Sequence, residues 1–231
     1  SDVEFCDPKC HKVTIHKKEG NVMSEPNFIV ITGATSDTND RAGLMGAMGD
    51  FAQECKDNGA MRITFGSVLS GKHPNALIFI QFFESLAGFE NVMKAIPNSK
   101  PYESMIKDHA TKPFVRNVMQ SKAIPFEPTL SPMPNYLVLT RARPKTLNEA
   151  EVINLLSSTT STFKDHGAQT LRFGHTVTGN DIGTYLLGVT YPSMAAIEAT
   201  YTELATNQAF AKLSAGIDID MRSIVKIAGI L

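Results

Sequence analysis

Residues 56–66 of the chain, KDNGAMRITFG, return 108 positions later as residues 164–174, KDHGAQTLRFG. The same shift of 108 places lays Phe28–Ile106 on Tyr136–Ser214 without a gap. Identical residues are few and concentrate at turns, where backbone geometry restricts the choice of side chain. A period this long that occurs only twice indicates a duplicated domain and not a solenoid.

Composition and charge exclude several classes of protein. Of the 231 residues, 42% are hydrophobic and 19% are charged, which is typical of a globular protein. The net charge is −1 and like charges do not cluster, which argues against nucleic acid or a membrane surface as partner. No apolar run is long enough to span a bilayer. Three cysteines make no disulfide framework and the N-terminus lacks a signal-peptide pattern, so we expect a cytoplasmic location.

Each repeat has the hydrophobic pattern of strand, helix, strand, strand, helix, strand. Phe28–Ala34 and Tyr136–Ala142 are the first strands of the two repeats. The first helix of repeat one carries an apolar stripe that includes Cys55, which we expect to be buried. Turns at Gly71 and Gly179 predict a central hairpin in each repeat, the ferredoxin-like arrangement.

The strands are apolar on both faces, although helices cover only one. Leu77–Ile80 and Tyr185–Leu187 contain no polar residue on either face except the tyrosine hydroxyl. An antiparallel sheet with one solvated face shows alternation instead. We therefore predict an α+β fold in which two tandem ferredoxin-like (βαββαβ) repeats pack their antiparallel sheets face to face as an intrachain α+β barrel.

The domain boundaries follow from the alignment and from four prolines between the copies. We predict a first repeat with an N-terminal extension (residues 1–124), a proline-rich linker (125–134) and a second repeat (135–231). Because the sheets pair within the chain, we expect a monomer with an internal pseudo-dimer, or a higher homo-oligomer.

Phe83–Phe89 and Tyr191–Ile197 resemble the strand-to-helix junction of the dimeric α+β barrel superfamily, and Asn207–Leu213 resembles the segment after its second helix. The resemblance covers roughly residues 28–122 and 136–228. It implies the barrel fold, with one chain supplying both halves. The superfamily includes antibiotic-biosynthesis-type monooxygenases, haem-degrading proteins, stress-responsive barrel proteins and dehydratase-like proteins. The chain contains no tryptophan, which the monooxygenase subgroup often uses near its substrate.

Candidate site residues concentrate in the second repeat. His175 shares a strand face with Leu171 and Phe173, which suits either a hydrogen-bonded core residue or an acid/base in a pocket. Arg141 lies near the end of a strand, where it either clamps an oxyanion or stays solvated, and Arg172 has the same alternatives. We expect a site between the sheet and helices of this repeat, with His175 at its centre.

Motifs for cofactors are absent: the chain has no dinucleotide-binding or phosphate-binding glycine loop and no His-Glu-x-x-His. Cys6, Cys10 and His11 lack a second ligand pair, so incidental thiols are favoured over structural zinc. We expect neither a cofactor nor a metal.

Two hypotheses of function stay open at this stage. The first is an enzyme acting on small aromatic or polyketide-like molecules, either a cofactor-independent monooxygenase or an isomerase or lyase. His175 would then be the acid/base, and Arg172 or Arg141 would hold an oxyanion. The alternative is a non-catalytic ligand-binding or stress-related module. A cavity lined by His175 and an arginine would favour the enzyme, and a fully packed interior would favour the module.

Overall fold

The computed structural model describes residues 25–129 and 131–231, and both repeats have the predicted element order. The first repeat consists of β1 (Phe28–Ser36), α1 (Arg41–Asp57), β2 (Arg62–Ser70), β3 (Leu77–Phe83), α2 (Leu86–Ala95), α3 (Lys100–Lys107) and β4 (Thr111–Lys122). The second consists of β5 (Tyr136–Pro144), α4 (Glu149–Ser157), α5 (Thr160–Asp165), β6 (Thr170–Thr178), β7 (Tyr185–Tyr191), α6 (Met194–Leu204), α7 (Gln208–Gly216) and β8 (Ile217–Ile230).

The eight strands form one closed antiparallel barrel in the order β1-β3-β2-β8-β5-β7-β6-β4. The predicted tandem ferredoxin-like barrel is therefore confirmed. The two four-stranded sheets face each other and are also hydrogen-bonded along both edges, through β2 with β8 and β4 with β6. Full closure leaves no unpaired sheet edge. Since both halves share this barrel, the predicted boundaries at residues 124 and 135 stay a prediction.

A glycine lies at each of the two seams that close the barrel. A Cβ atom on Gly66 would lie 2.0 Å from the carbonyl oxygen of Lys226, and one on Gly174 would lie 2.2 Å from that of Gln120. Only glycine permits such an approach of two backbones. In each repeat the Phe-Gly pair of the sequence therefore lies on the strand, β2 or β6, that is hydrogen-bonded to the other repeat.

Three apolar clusters account for strands that are apolar on both faces. One cluster lies between each sheet and its own helices, and the third fills part of the barrel interior. On β3, Leu77 packs toward the helices, while Ile80 and Phe82 point into the barrel. Cys55 is buried on α1, and burial raises the pKa of its thiol to about 12. Its predicted place in the core is confirmed.

Described residues of the connection between the repeats are hydrogen-bonded to the second repeat. The Thr129 amide donates to the Gln169 carbonyl (2.7 Å), and Asn135 donates to the Tyr191 carbonyl (3.0 Å). Met133 and Pro134 then reach one mouth of the barrel. Within the described residues, no helix has the length and apolar character needed to cross a membrane.

Candidate ligand-binding sites in the barrel

The three candidate residues of the second repeat do not come together. On β6, Arg172 points into the barrel, whereas His175 points outward toward α4. Arg141 also points inward, but at the opposite end of the barrel from Arg172. The expected grouping of these side chains around His175 is therefore corrected: they occupy three separate environments.

A cavity of about 540 Å³ opens at the Arg141 end of the barrel, and we call it the Arg141 cavity. Its inner wall is apolar and its mouth is polar. The mouth carries Asn117, Asp181, Asp220, Lys72 and His73, and the His73 ring lies 4.9 Å from that of Phe114. The inner wall includes Ile31, Val68, Ile78, Leu139, Leu186 and Val225.

A network of ion pairs holds the Arg141 side chain at this mouth. Its Nη1 lies 2.5 Å from Asp181 Oδ1, and its Nε donates to Asp220 Oδ1 at 2.8 Å. Asn117 Nδ2 donates to the other oxygen of Asp181 at 2.6 Å, and Arg143 Nε lies 3.5 Å from Asp220. Burial disfavours the Arg141 charge, but hydrogen bonding to Asp220 and the nearby Asp181 outweigh it and raise the pKa of Arg141. The two arginines and two aspartates balance in charge.

A second cavity, of about 130 Å³, opens at the other end of the barrel, and we call it the Arg172 cavity. Arg172 Nη1 lies 2.5 Å from Glu25 Oε2, and the Arg62 guanidinium lies 4.2 Å from the centre of the Phe82 ring. Burial, together with the nearby Arg172 charge, lowers the pKa of Arg62 to about 10. Four side chains line both cavities and separate them: Ile31, Met119, Leu139 and Leu186.

Arg62 belongs to the site residues that the sequence analysis missed. Its signal lies in the repeat alignment, where Arg62-Ile63-Thr64 matches Thr170-Leu171-Arg172. At each of these two matched positions, which line the cavity, one copy has arginine where the other has threonine. Each repeat therefore contributes one arginine to the same mouth.

His175 lies in an ion cluster that bridges two strands and a helix. Its Nδ1 lies 2.6 Å from Glu149 Oε2 at the start of α4, and Lys122 Nζ on β4 lies 3.1 Å from Glu149 Oε1. Burial opposes ionisation of Glu149, but hydrogen bonds from Lys122 and His175 prevail and lower its pKa. His175 lines none of the four cavities found among the described residues.

We expect Lys122→Met to reduce stability at neutral pH and not in acid. Because the folded pKa of Glu149 is depressed, its stabilisation is present above its unfolded pKa and is lost as pH falls through the folded value. The pair is partly solvated, so the loss at pH 7 should be about 0.5 kcal/mol. Urea unfolding at pH 7 and pH 3 measures this loss of stability, with Lys212→Met at an exposed position of α7 as control. An equal loss at both pH values would contradict the assignment.

The spaces between each sheet and its helices are small. They measure about 50 Å³ in repeat one and about 40 Å³ in repeat two, which is room for a few water molecules. Each contains an arginine whose Nε donates to a strand threonine: Arg116 to Thr32 (3.1 Å) and Arg222 to Thr140 (3.2 Å). The site expected beside the helices of repeat two stays a prediction, and the larger spaces lie inside the barrel.

The described residues contain no group of three or more His, Cys, Asp or Glu side chains placed to hold a metal ion. Cys6, Cys10 and His11 lie outside the described residues. The sequence-based preference for incidental thiols at these positions stays a prediction.

A family model described as "Domain of unknown function (DUF6854)" matches residues 26–121 and matches again over residues 134–227. The chain belongs to this family. Each copy of the DUF6854 domain thus corresponds to one half of the barrel. No curated protein matches the chain.

Solved structures similar to this DUF6854 protein share its fold at low sequence identity. A "putative monooxygenase" of Fusobacterium nucleatum has a TM-score of 0.61 and 11% identity, with 90% of this chain and 95% of that chain covered. An anthrone oxidase-like protein has a TM-score of 0.56 and 11% identity, with 90% and 94% covered. A variant chlorite dismutase of Candidatus Nitrospira defluvii has a TM-score of 0.59 and 11% identity, with 90% and 94% covered. These likenesses confirm the dimeric α+β barrel fold.

Proposed function

We propose that the protein binds a small, uncharged aromatic molecule in the Arg141 cavity. The observation that carries this proposal is a space of about 540 Å³ inside the barrel with an apolar wall and a polar mouth. Ligand pockets have volumes of roughly 300–1,000 Å³ and combine apolar walls with a few oriented polar groups. The cytoplasmic location expected from the sequence stays a prediction.

The ion pairs of Arg141 favour a neutral ligand at this arginine. Asp181 and Asp220 both bind Arg141, so an anion would compete with two carboxylates for the same guanidinium. The guanidinium has five N–H donors, and these two pairs use only part of them. The remaining donors suit a ketone or phenol oxygen, while Leu139 and Leu186 suit the faces of aromatic rings.

Binding without turnover is the form of this function that the cavity supports best. Its carboxylates are engaged with Arg141, and His73 is exposed at the mouth. Neither arrangement supplies a buried, unengaged base next to a ligand. Among the residues first considered for catalysis, Arg141 is the one that lines this cavity.

A second candidate, cofactor-independent oxygenation of the bound molecule, is favoured by the names of the structural neighbours. One of them is called an anthrone oxidase-like protein. Anthrone is a neutral tricyclic ketone of the kind that the Arg141 cavity suits. Its oxygenation joins one anthrone and one O₂ to give one anthraquinone and one water, with Arg141 donating to the ketone oxygen. Isomerase or lyase chemistry on such a ketone has no separate observation in its favour.

The absence of tryptophan makes a direct binding test possible. Phe114→Trp places a single reporter at the mouth of the Arg141 cavity, where the native ring is 42% exposed. Anthrone titration should change its fluorescence saturably. Ile78→Phe, which enlarges a side chain of this cavity alone, should weaken binding about tenfold or more. Gly188→Ile, which fills only the Arg172 cavity, should leave it unchanged.

Failure of anthrone and related neutral aromatic ketones to change the Phe114→Trp signal would overturn the proposal. So would binding that Ile78→Phe does not affect in a folded variant. An oxygen electrode separates the two candidates, because oxygenation consumes one O₂ per anthraquinone formed and simple binding consumes none.

A further inference from the structure

We propose that the Arg172 cavity is a second ligand site, which binds a small apolar monocarboxylate of about the size of benzoate. It lies at the opposite end of the barrel from the Arg141 cavity and does not depend on the function proposed there. Three independent features support it: how the space arises, the charges at its mouth and its size.

The space exists because the second repeat lacks bulk at two inward positions. Gly188 and Thr190 on β7 correspond to Ile80 and Phe82 on β3, and all four residues line the cavity. The backbone does not require glycine at Gly188, since a Cβ there would meet only the side chains of Leu137 and Leu139 at 3.5 Å. A glycine inside a strand weakens the strand and often marks a bulge, a bend or a place that a ligand or another backbone approaches closely.

The mouth of this cavity carries an excess of positive charge. Arg62 and Arg172 line it, and Glu25 is the carboxylate paired with Arg172. The Glu25 side chain is 64% exposed, so it can turn to solvent when a ligand carboxylate takes its place on Arg172. The Arg172 Nε is buried and has no hydrogen-bond partner among the described residues. Guanidinium groups bind carboxylates through paired hydrogen bonds, so two arginines at one mouth suit a ligand with a carboxylate.

The size and wall of the cavity define the rest of the ligand. A volume of about 130 Å³ is close to that of an engineered apolar cavity of about 150 Å³ that binds benzene. Ile29, Leu137 and Met119 form an apolar wall, and Met119 belongs to the partition that closes the inner end. A phenyl ring or a short branched acyl group fits this space, and a long acyl chain does not.

A reporter at the mouth tests the proposal in the full chain. Met133→Trp introduces a single tryptophan where the native side chain is 61% exposed and lines the cavity. Titration with sodium benzoate at millimolar concentration should change its fluorescence saturably. Benzamide, which is neutral and similar in shape, should bind about tenfold more weakly. Arg172→Met should also weaken the binding of benzoate about tenfold.

Further variants separate a ligand site from a merely structural ion pair. Glu25→Gln removes the competing carboxylate, so benzoate should bind several-fold more tightly. Gly188→Ile fills the cavity with the residue of the first repeat and should abolish binding, whereas Ile78→Phe in the Arg141 cavity should not affect it. If Gly188→Ile fails to fold, Thr190→Phe fills the same space.

Lack of any benzoate effect on the Met133→Trp fluorescence would overturn the proposal. Equal affinity for benzoate and benzamide, or weaker binding after Glu25→Gln, would do so as well. Because the reporter and filling variants differ from those of the Arg141 cavity, either site can fail while the other is confirmed.

Discussion

Alanine at Gly66 or at Gly174 is expected to lower the free energy of unfolding by about 3 kcal/mol, at the upper end of the cost of overpacking. A methyl group at either position would overlap a carbonyl oxygen of the neighbouring strand, at 2.0 Å from Lys226 and 2.2 Å from Gln120. The clash is with backbone, which no rotamer change relieves. It also lies at the two seams on which barrel closure depends.

Urea unfolding followed by circular dichroism measures these losses, and the chain supplies matched controls. Gly188→Ala meets only side chains at 3.5 Å and should cost little. Gly46→Ala on α1 meets nothing within 4 Å and should stabilise the protein by about 0.5–1 kcal/mol, since glycine is a poor helix former. If Gly66→Ala and Gly188→Ala lose equal stability, the seam explanation is wrong.

Arg141→Met is expected to lower the free energy of unfolding by about 2 kcal/mol, less than for a fully buried pair because the mouth is partly solvated. The variant leaves Asp181 and Asp220 facing each other without the cation between them. Asp181 has a side chain only 14% exposed, so water compensates its charge poorly.

A second substitution distinguishes this charge effect from lost packing. Asp181→Asn added to Arg141→Met should recover about half of the stability, since it removes the more buried unpaired charge. Arg143→Met serves as the control, because its side chain is 53% exposed and its pair with Asp220 is long, at 3.5 Å. It should cost less than about 0.5 kcal/mol. No recovery in the double variant would show that Arg141 acts through its packing alone.

The duplication and the apolar character of both strand faces were enough to predict the barrel. Its closure was not predictable in the same way, because the β2–β8 and β4–β6 pairings join strands far apart in sequence. The first helix of repeat two also departs from the pattern, since it breaks between α4 and α5. There the hydroxyls of Ser158 and Thr159 donate back to the carbonyls of Leu155 and Leu156 and compete with the helix.

The candidate site was predictable only in part. Arg172 and His175 are three residues apart on β6, and strand alternation alone places such residues on opposite faces. Only the tertiary structure shows that one of these faces points into the barrel and the other points toward α4. Asp181 and Asp220 could not be predicted from the sequence as partners of Arg141, because a turn and a distant strand bring them to it.

The covalent joining of the two halves has a consequence for how the barrel can change. In a homodimer of identical subunits, every substitution appears twice, so a glycine at the inward position of β7 would remove the matching isoleucine of β3 as well. Here a substitution can alter one half alone. Gly188 in the second repeat corresponds to Ile80 in the first, and Arg172 corresponds to Thr64. A fused barrel can therefore lose side-chain volume or gain charge on one sheet of its interior, while the other sheet keeps the large apolar side chains that hold the sheets together.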